Sequence, residues 1–313
     1  MGYDYQSPWF REALKVEDKL EINQLKSKES ADICIVGGGY TGLWTALKIK
    51  EKNALTKIII IEKDLCGSGA SGRNGGCMIP LSSKFTAMKK IVGAKDAIRM
   101  VKASEEALNE IKQFCEVNNL DAKIRINGIV YSATNNKHRG GFDNLLKDLN
   151  DNNINNWERL PEEKIQKLTG SNRNIDGYFS PIGGSLQPAL LARGLKKIAE
   201  KKGIKIFERS AMSSYDNNTM ITVHTAHGSI ECKKLVLAIN AWTPSFLSFL
   251  SRSVILVSSD MIISEPIKSE LEKLNLNNGL VVLDSNLFTH YYRSTPDGRI
   301  MLGKGGNTFS FNN

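Results

Sequence analysis

Cysteine is scarce in this sequence and shows none of the spacings that hold metals or form redox pairs. The 313 residues include five cysteines, with no CxxC pair among them. One of them sits inside an apolar strand pattern, so we expect reduced thiols, no metal site and a cytoplasmic protein. The five are Cys34, Cys66, Cys77, Cys115 and Cys232.

Long hydrophobic runs are absent as well. The first twenty residues, "MGYDYQSPWFREALKVEDKL", lack the apolar centre of a signal peptide and contain acidic residues that transit peptides avoid. No stretch is long and apolar enough to span a bilayer. The sequence therefore predicts no membrane partner.

A basic stripe of the kind that binds nucleic acids is missing too. The 42 Lys and Arg outnumber the 33 Asp and Glu, which gives a formal charge of +9. The lysines are scattered over predicted helices, as in "KIKEK" and "KKI", without interleaved aromatics. This pattern favours a solvated surface over a nucleic-acid partner.

What the sequence does contain is a βαβ pattern near its start. "ADICIV", residues 31–36, is typical of a fully buried strand, and "GGGYTG" leads into the helical pattern "YTGLWTALKIKEKN". A second apolar strand, "KIIIIE", follows. A right-handed crossover makes the two strands parallel, so we predict an α/β fold with a doubly wound, Rossmann-like sheet.

The glycines of this unit match the dinucleotide fingerprint. Gly37, Gly39 and Gly42 have GxGxxG spacing, and Glu62 ends the second strand twenty residues later. The first glycine permits the turn, the second lets a pyrophosphate approach the backbone, and the third lets helix and strand pack closely. The helix N-terminus supplies N–H groups, and the glutamate can accept hydrogen bonds from ribose hydroxyls.

A second glycine-rich stretch, "CGSGASGRNGG" at residues 66–76, follows the second strand. Its backbone N–H groups, which glycine leaves uncovered by side chains, and the guanidinium of Arg73 suit an anionic ligand such as a diphosphate. The alternative is an ordinary surface loop in which Arg73 forms a salt bridge. A nicotinamide domain has no need of such a stretch, which disfavours NAD as the cofactor.

The rest of the chain alternates helical and strand patterns without a linker or repeat. We predict a helix over 82–119, a helix near "FDNLLKDLN", and a helix beginning at the proline of "PEEKIQKL". Pro188 is predicted to open a helix that Gly203 closes, before the strand "IKIFE". Asp297 and Gly298 form the strongest hairpin signal.

Six blocks give the chain a family resemblance: "SPWF", "ADICIVGGGYTGLWTALKI", "IIIIEKDLCGSGASGRNGGCM", "GGSLQPALLARGL", "LVLAINAWTP" and "YYRSTPDGRIMLGKGG". In this order they resemble the FAD-dependent amine and amino-acid oxidoreductases of the D-amino-acid oxidase superfamily, γ-glutamylputrescine oxidoreductases among them. The resemblance implies an FAD-binding domain over about 28–92 and 180–245. An antiparallel-sheet substrate domain would take about 93–179 and 246–313.

The resemblance also implies which residues hold FAD. The second glycine-rich stretch would lie along the pyrophosphate and reach the flavin, Met212 would lie beside the adenine, and the end of "LVLAINAW" would line the cofactor. Trp242 as a purely structural core residue is the alternative. The predicted cofactor-binding residues are Gly37, Gly39, Tyr40, Thr41, Gly42, Glu62, Lys63, Ser71, Arg73, Asn74, Gly75, Gly76, Met212, Ala238, Asn240 and Trp242.

On the substrate side the resemblance points to Tyr291, Tyr292 and Arg293. Neighbouring strand residues face opposite sides, so at most one tyrosine should face the site. No catalytic acid or base is assigned. The histidines at 224, 227 and 290 have no acid at useful spacing in sequence and are expected to be structural. Cys77 is expected to be a buried free thiol, with a covalent flavin anchor as the alternative.

The implied activity is oxidation of the C–N bond of a small amine or amino acid by hydride transfer to flavin, with dioxygen or another electron acceptor. The family normally continues beyond "GKGGNTFSFNN", so the resemblance implies a C-terminally incomplete chain. An FAD-binding module without turnover is therefore one alternative. An FAD oxidoreductase linked to tRNA modification is the other, with slight support from the positive charge.

Overall fold

The computed structural model describes residues 7–17 and 20–310 and divides into two compact units. The first comprises the described residues up to Asn74 together with Pro188–Leu256, and the second comprises Gly75–Gln187 and Val257–Ser310. The sequence placed 75–92 and 180–187 in the FAD-binding domain and 246–256 in the substrate domain, whereas the structure groups the first two segments with the second unit and the third with the first. Cys77 pairs with Ser185 and Met78 with Gly184, and Ser185 in turn forms a bridge with Arg125 of the second unit.

Helices and strands alternate along the described chain. The helices are α1 (Pro8–Lys15), α2 (Tyr40–Lys52), α3 (Phe85–Val117), α4 (Asp143–Asp151), α5 (Glu162–Thr169), α6 (Pro188–Lys201), α7 (Thr243–Phe246) and α8 (Lys268–Lys273). The strands are β1 (Lys28–Val36), β2 (Ile58–Ile61), β3 (Cys77–Met78), β4 (Ile129–Ala133), β5 (Glu158–Leu160), β6 (Asp176–Ser180), β7 (Gly184–Ser185), β8 (Lys205–Phe207), β9 (Met212–Asn217), β10 (Ile221–Thr225), β11 (Ser229–Leu237), β12 (Leu256–Ile263), β13 (Val281–Asp284), β14 (His290–Ser294) and β15 (Ile300–Ser310).

A mixed sheet in the order β8-β2-β1-β11-β10-β9 forms the first unit. Its first four strands are parallel, and β10 and β9 join as antiparallel strands. The four isoleucines of β2 are all buried, as expected of a strand covered on both faces. Val36 pairs with Ile61 and with Leu237, so the carboxyl ends of β1, β2 and β11 lie at one edge. This sheet confirms the predicted α/β class.

The second unit contains a sheet in the order β12-β15-β14-β13-β4-β6-β5. Strand β13 is parallel to β4, whereas β14 and β15 form an antiparallel hairpin. Apolar side chains on opposite faces form two clusters, one around Tyr131 and Trp157 and the other around Val130 and Val282. The sheet is therefore covered on both faces.

Most of the predicted elements are present, with shifted ends. The strand predicted at 31–36 begins at Lys28, and the helix predicted over 82–119 is α3, which is broken at Gly93. Pro161 precedes α5 as its N-cap instead of occupying the first helical position. The hairpin turn at Asp297 and Gly298 is confirmed. Among the described residues, no helix combines the length and the apolar composition needed to cross a membrane.

Candidate cofactor site

A cleft of about 1050 Å³ opens in the first unit where β1, β2 and β11 end. Ligands of open α/β sheets bind at this edge, because the loops that leave parallel strands meet there. The cleft brings together residues that lie far apart in the sequence. Of the predicted cofactor-binding residues, those that line it are Gly37, Gly39, Tyr40, Thr41, Glu62, Lys63, Ser71, Arg73, Met212, Ala238, Asn240 and Trp242.

The turn between β1 and α2 requires glycine for two separate reasons. Gly37 has a φ of +111°, which residues with a side chain rarely adopt, and a Cβ there would overlap the carbonyl oxygen of Ala238. Gly42 does not line the cleft, but a Cβ at Gly42 would overlap the carbonyl oxygen of Gly37. The third glycine of the fingerprint therefore sets the distance between helix and turn, as its spacing predicts.

The first turn of α2 borders the cleft through Tyr40 and Thr41. The first N–H groups of a helix have no acceptor within the helix and carry the positive end of its dipole. Ser71 Oγ accepts the N–H of Tyr40 at 2.9 Å, and the Tyr40 hydroxyl donates to the carbonyl of Pro188 at 2.8 Å. These bonds hold an electropositive helix end at the wall of the cleft.

Glu62, at the end of β2, is half-buried and lines the same cleft. Its Oε2 accepts the N–H of Gly38 at 2.8 Å, and its Oε1 accepts the N–H of Asp64 at 3.0 Å. Burial raises the pKa of this carboxyl, although the two N–H donors oppose the rise. An ionised carboxylate has about four acceptor positions, so two are left for hydroxyl groups of a ligand.

Lys63 and Trp242 meet at the rim of the cleft. The Lys63 ammonium lies 3.9 Å from the centre of the Trp242 ring, within the range of a cation–π contact. Trp242 is 44% exposed, so it is not a core residue. The alternative of a structural, buried indole is therefore wrong.

The glycine-rich stretch supplies a further part of the cleft wall. Arg73 Nε donates to the carbonyl of Ser68 at 2.5 Å, which curls the chain around the residues between them. Asn74 does not line the cleft, because its side-chain amide donates to the carbonyls of Ala70 and Ser71. The opening residues of the stretch line the cleft although they were not singled out from the sequence, namely Gly67, Ser68, Gly69 and Ala70.

Sequence reasoning also missed cleft residues in two other loops. Ser210 and Ala211 precede Met212, in the turn between β8 and β9, and their small size was their only sequence signal. Thr243, Ser245 and Phe246 follow Trp242 and belong to the short helix α7. The pattern "AWTPSF" predicts a helix start at the proline, but it does not show that this helix borders a cleft.

Gly75 and Gly76 belong to the second unit, where Arg293 holds them. Gly76 has a φ of +63°, and a Cβ there would overlap the carbonyl oxygen of Leu186. The guanidinium of Arg293, whose residue is 2% exposed, donates through Nε to the carbonyl of Gly75 at 2.6 Å. Its Nη2 donates to the carbonyl of Leu186 at 2.7 Å. Arg293 thus braces two backbone segments, which corrects its assignment as a substrate-side candidate.

The two tyrosines of β14 lie on opposite faces of the sheet, as strand alternation predicts. Tyr292 packs with the Val282 cluster and donates its hydroxyl to the carbonyl of Thr169 at 2.8 Å. Tyr291 packs with the other cluster, and its ring covers Gly303, its partner on β15. Burial raises the pKa of both phenols. Tyr291 also lies against Gly75 and is the tyrosine that remains a substrate-side candidate.

Two histidines have acidic partners that sequence spacing did not predict. His224 Nε2 lies 2.7 Å from Asp216 Oδ2 across β10 and β9, and His290 Nδ1 lies 2.7 Å from Asp284 Oδ2. Sequence spacing does not reveal these acids, because strand pairing brings them to the histidines. Both histidines remain outside the cleft.

Cys77 follows the glycine-rich stretch and is a free, half-buried thiol. Burial raises its pKa to about 11, although the charge of Arg293 opposes the rise. A thiol that keeps its proton at neutral pH is a poor nucleophile, which argues against a covalent bond between Cys77 and flavin.

Comparisons with known proteins agree with this geometry. The chain is 29% identical to "Probable oxidoreductase OrdL" of Haemophilus influenzae, over 88% of this chain and 65% of that protein. It is 27% identical to "Gamma-glutamylputrescine oxidoreductase" of Escherichia coli, over 91% of this chain and 66% of that protein. The chain therefore spans slightly less than two-thirds of the length of these relatives.

Solved structures share the fold at lower identity. Glycine oxidase of Bacillus cereus superposes with a TM-score of 0.67 at 18% identity, over 88% of this chain and 71% of that one. An FAD-bound L-α-glycerophosphate oxidase of Mycoplasma pneumoniae has a TM-score of 0.65 at 16% identity, with 90% and 73% covered. Residues 32–313 match the family model described as "FAD dependent oxidoreductase". The chain thus belongs to the DAO family of FAD-dependent oxidoreductases.

Proposed function

We propose that the cleft of the first unit binds FAD. The observation that carries this proposal is that a glycine turn, a helix N-terminus and a half-buried carboxylate with spare acceptor positions open into one cleft. An FAD molecule presents a diphosphate and ribose hydroxyls, and these groups match the three features. The residues present therefore fit the cofactor of the family.

Each wall of the cleft has a role in this proposal. The ribose hydroxyls would donate to Glu62, and the diphosphate would lie at the N-terminus of α2, at the N–H of Thr41 and the positive end of the helix dipole, because the N–H of Tyr40 already donates to Ser71. The guanidinium of Arg73 and the backbone of the glycine-rich stretch add further donors for the anionic groups. Met212 packs beside the adenine. The predicted roles of Gly75 and Gly76 on the flavin side, and that of Tyr291 on the substrate side, remain predictions.

We further propose that the protein oxidises the C–N bond of a small amine or amino acid. Bound flavin supplies a two-electron acceptor that takes a hydride from the carbon next to nitrogen. The nitrogen loses its proton, and water hydrolyses the resulting imine. The names of the relatives support this substrate class, since they include γ-glutamylputrescine and glycine.

The first test is an absorbance spectrum of the purified 313-residue protein, followed by anaerobic addition of γ-glutamylputrescine, glycine, sarcosine and proline in turn. A flavin spectrum that one of these amines bleaches supports both proposals and identifies the substrate class. Readmission of dioxygen then tests the acceptor, because recovery of the oxidised spectrum within seconds supports dioxygen.

Two other outcomes contradict parts of the proposal. A yellow protein that no amine bleaches favours an FAD-binding module without turnover. A protein that stays colourless after incubation with excess FAD contradicts the assignment of the cleft. Location in the cytoplasm stays a prediction from the cysteine pattern.

A further inference from the structure

The glycine-rich loop of residues 66–73 loses much backbone entropy when it becomes ordered. Glycine loses more backbone freedom on folding than any other residue, and three of these eight residues are glycines. A ligand that binds a disordered loop must also supply the free energy that orders it. The residues that pack against the loop on the side away from the cleft therefore affect how strongly the loop binds a ligand in the cleft.

The helix α1 lies directly behind this loop. Ser7 Oγ donates to the carbonyl of Gly72 at 2.9 Å, and a Cβ on Gly72 would come within 3.1 Å of the Phe10 ring. A Cβ on Gly67 would come within 2.6 Å of the Cβ of Ala192 on α6. Both glycines are thus pressed against side chains of the two helices. Phe10 is 1% exposed, so this packing excludes water.

A buried ion cluster fixes the first residue of the loop. The Arg193 guanidinium binds both carboxylate oxygens of Glu17, at 2.5 and 2.8 Å, and Oε1 of Glu208 at 2.6 Å. The same Glu208 oxygen accepts the N–H of Cys66 at 2.6 Å, and Arg193 donates to the carbonyl of Cys66 at 3.3 Å. Both polar groups of the Cys66 backbone are therefore held by the cluster.

The cluster is also linked to the first glycine turn. The residue after Cys66, Gly67, donates its N–H to the carbonyl of Gly38 at 3.0 Å. Arg193 is 4% exposed and Glu208 1% exposed, so their charges depend on each other and on Glu17. Arg193 is shared between Glu208 and Glu17, so removing the charge of Glu17 takes away one of the two charge-assisted pairs that hold this guanidinium in place. The position of the loop is thus coupled to Glu17, which follows α1.

We propose that α1 and the Glu17–Arg193–Glu208 cluster position the loop of residues 66–73 for cofactor binding. None of these residues lines the cleft, so they act on the cofactor site through the loop. The proposal rests on the proposed FAD site, but the order of the loop can be measured without FAD.

The test uses Glu17→Gln in the full chain, because substitution of the fully buried Arg193 risks unfolding the protein. Glu17 keeps a 22% exposed side chain, and the change retains its shape while removing its charge. A matched control is Glu29→Gln, in which a 24% exposed side chain loses its ion pair with Lys205 in the same unit. Two quantities are measured for each protein, namely backbone hydrogen exchange without FAD and the dissociation constant of FAD.

Exchange of the amides in residues 66–73 should be about tenfold faster in Glu17→Gln, and the FAD dissociation constant about tenfold higher, since a charge-assisted pair is lost. The strands β1 and β2 should exchange as in the wild type, and Glu29→Gln should match the wild type in both measurements. Unchanged loop exchange overturns the proposal, as does faster exchange throughout the unit, which indicates general destabilisation. If the wild type binds no FAD, the proposed function fails, and the exchange data still decide whether the cluster positions the loop.

Discussion

Glu62 is subject to two opposing requirements at the residue scale. Burial raises its pKa above the usual 4.5, yet the ionised form is the one that accepts hydrogen bonds from the N–H groups of Gly38 and Asp64 and that the proposed FAD site uses for the ribose hydroxyls. Because its pKa is raised in the folded state, the ionised Glu62 lowers the free energy of unfolding at pH values above that pKa. This loss of stability disappears as the pH falls and the carboxyl is protonated. Protonation also reduces the acceptor capacity of the carboxyl that the proposed FAD site uses.

The first prediction is therefore that FAD affinity falls as the pH is lowered, beginning at pH values above 4.5. Below the folded-state pKa of Glu62, the dissociation constant should rise about tenfold per pH unit. Fluorimetric titration of the apoprotein with FAD between pH 8 and about 5 measures this. Glu62→Gln should bind more weakly with a flat profile, because an amide does not titrate. A sloping profile in that variant assigns the pH dependence to another group.

Asp176 shows the opposite shift. Burial alone would raise its pKa, but the N–H groups of Gly140 and Gly177 and the guanidinium of Arg159 outweigh burial and lower it. The stability that follows is present above the ordinary pKa of Asp and is lost as the pH falls through the lowered value. We predict that Asp176→Asn lowers the free energy of unfolding by about 2 kcal/mol at pH 7, measured in urea. The exposed Asp151→Asn should change it by less than about 0.5 kcal/mol.

The packing of α2 against β1 depends, at the element scale, on one missing side chain. A Cβ at Gly42 would overlap the carbonyl oxygen of Gly37, which is backbone and cannot rotate away. We predict that Gly42→Ala destabilises the protein by about 2 kcal/mol or more in thermal unfolding, despite the better helix propensity of alanine. Gly69→Ala is the control, because nothing lies within 4 Å of its Cβ position. Equal melting temperatures for the two variants contradict this explanation.

The break in α3 at Gly93 depends on the backbone conformation of that residue, and not on a lack of space for a side chain. Gly93 has φ +80° and ψ 164°, and nothing lies within 4 Å of its Cβ position. We predict that Gly93→Ala lowers the free energy of unfolding by about 1 kcal/mol through backbone strain alone. Gly305→Ala has the same open space without a positive φ and should be nearly neutral. A neutral Gly93→Ala would show that the helix can straighten at low cost.

These elements also show where sequence reasoning worked. The helical periodicity of α3 predicted its length to within a few residues, but an isolated glycine inside such a pattern does not show whether the helix breaks there. Likewise, the glycine fingerprint predicted the turn between β1 and α2, because that turn depends on the backbone conformation of a few contiguous residues. The corrected role of Arg293 depends on Leu186, which is 107 positions away, and no local pattern contains that contact.

At the scale of the whole molecule, binding of the proposed cofactor should protect defined backbone amides from hydrogen exchange. FAD at about 100 times its dissociation constant should stabilise the folded state by about 2.7 kcal/mol. Among amides that exchange by local opening, hydrogen exchange with and without FAD should show added protection in the cleft segments at 36–41, 61–73, 210–212 and 237–246, whereas amides that exchange by global unfolding should slow together. Protection of Gly75 and Gly76 would support their predicted role. Protection elsewhere, with none in these segments, would move the cofactor to another site.

The sequence by itself determined the βαβ unit, its fingerprint and the family, because buried strands, positive-φ glycines and a terminal acid are properties of short, contiguous segments. Only the tertiary structure decided which side chains reach the cleft and which brace it. Glu17 and Arg193, for example, are separated by 176 positions and meet because α1 packs on α6. Such contacts result from packing and from the high cost of burying a charge alone, neither of which is encoded in local spacing.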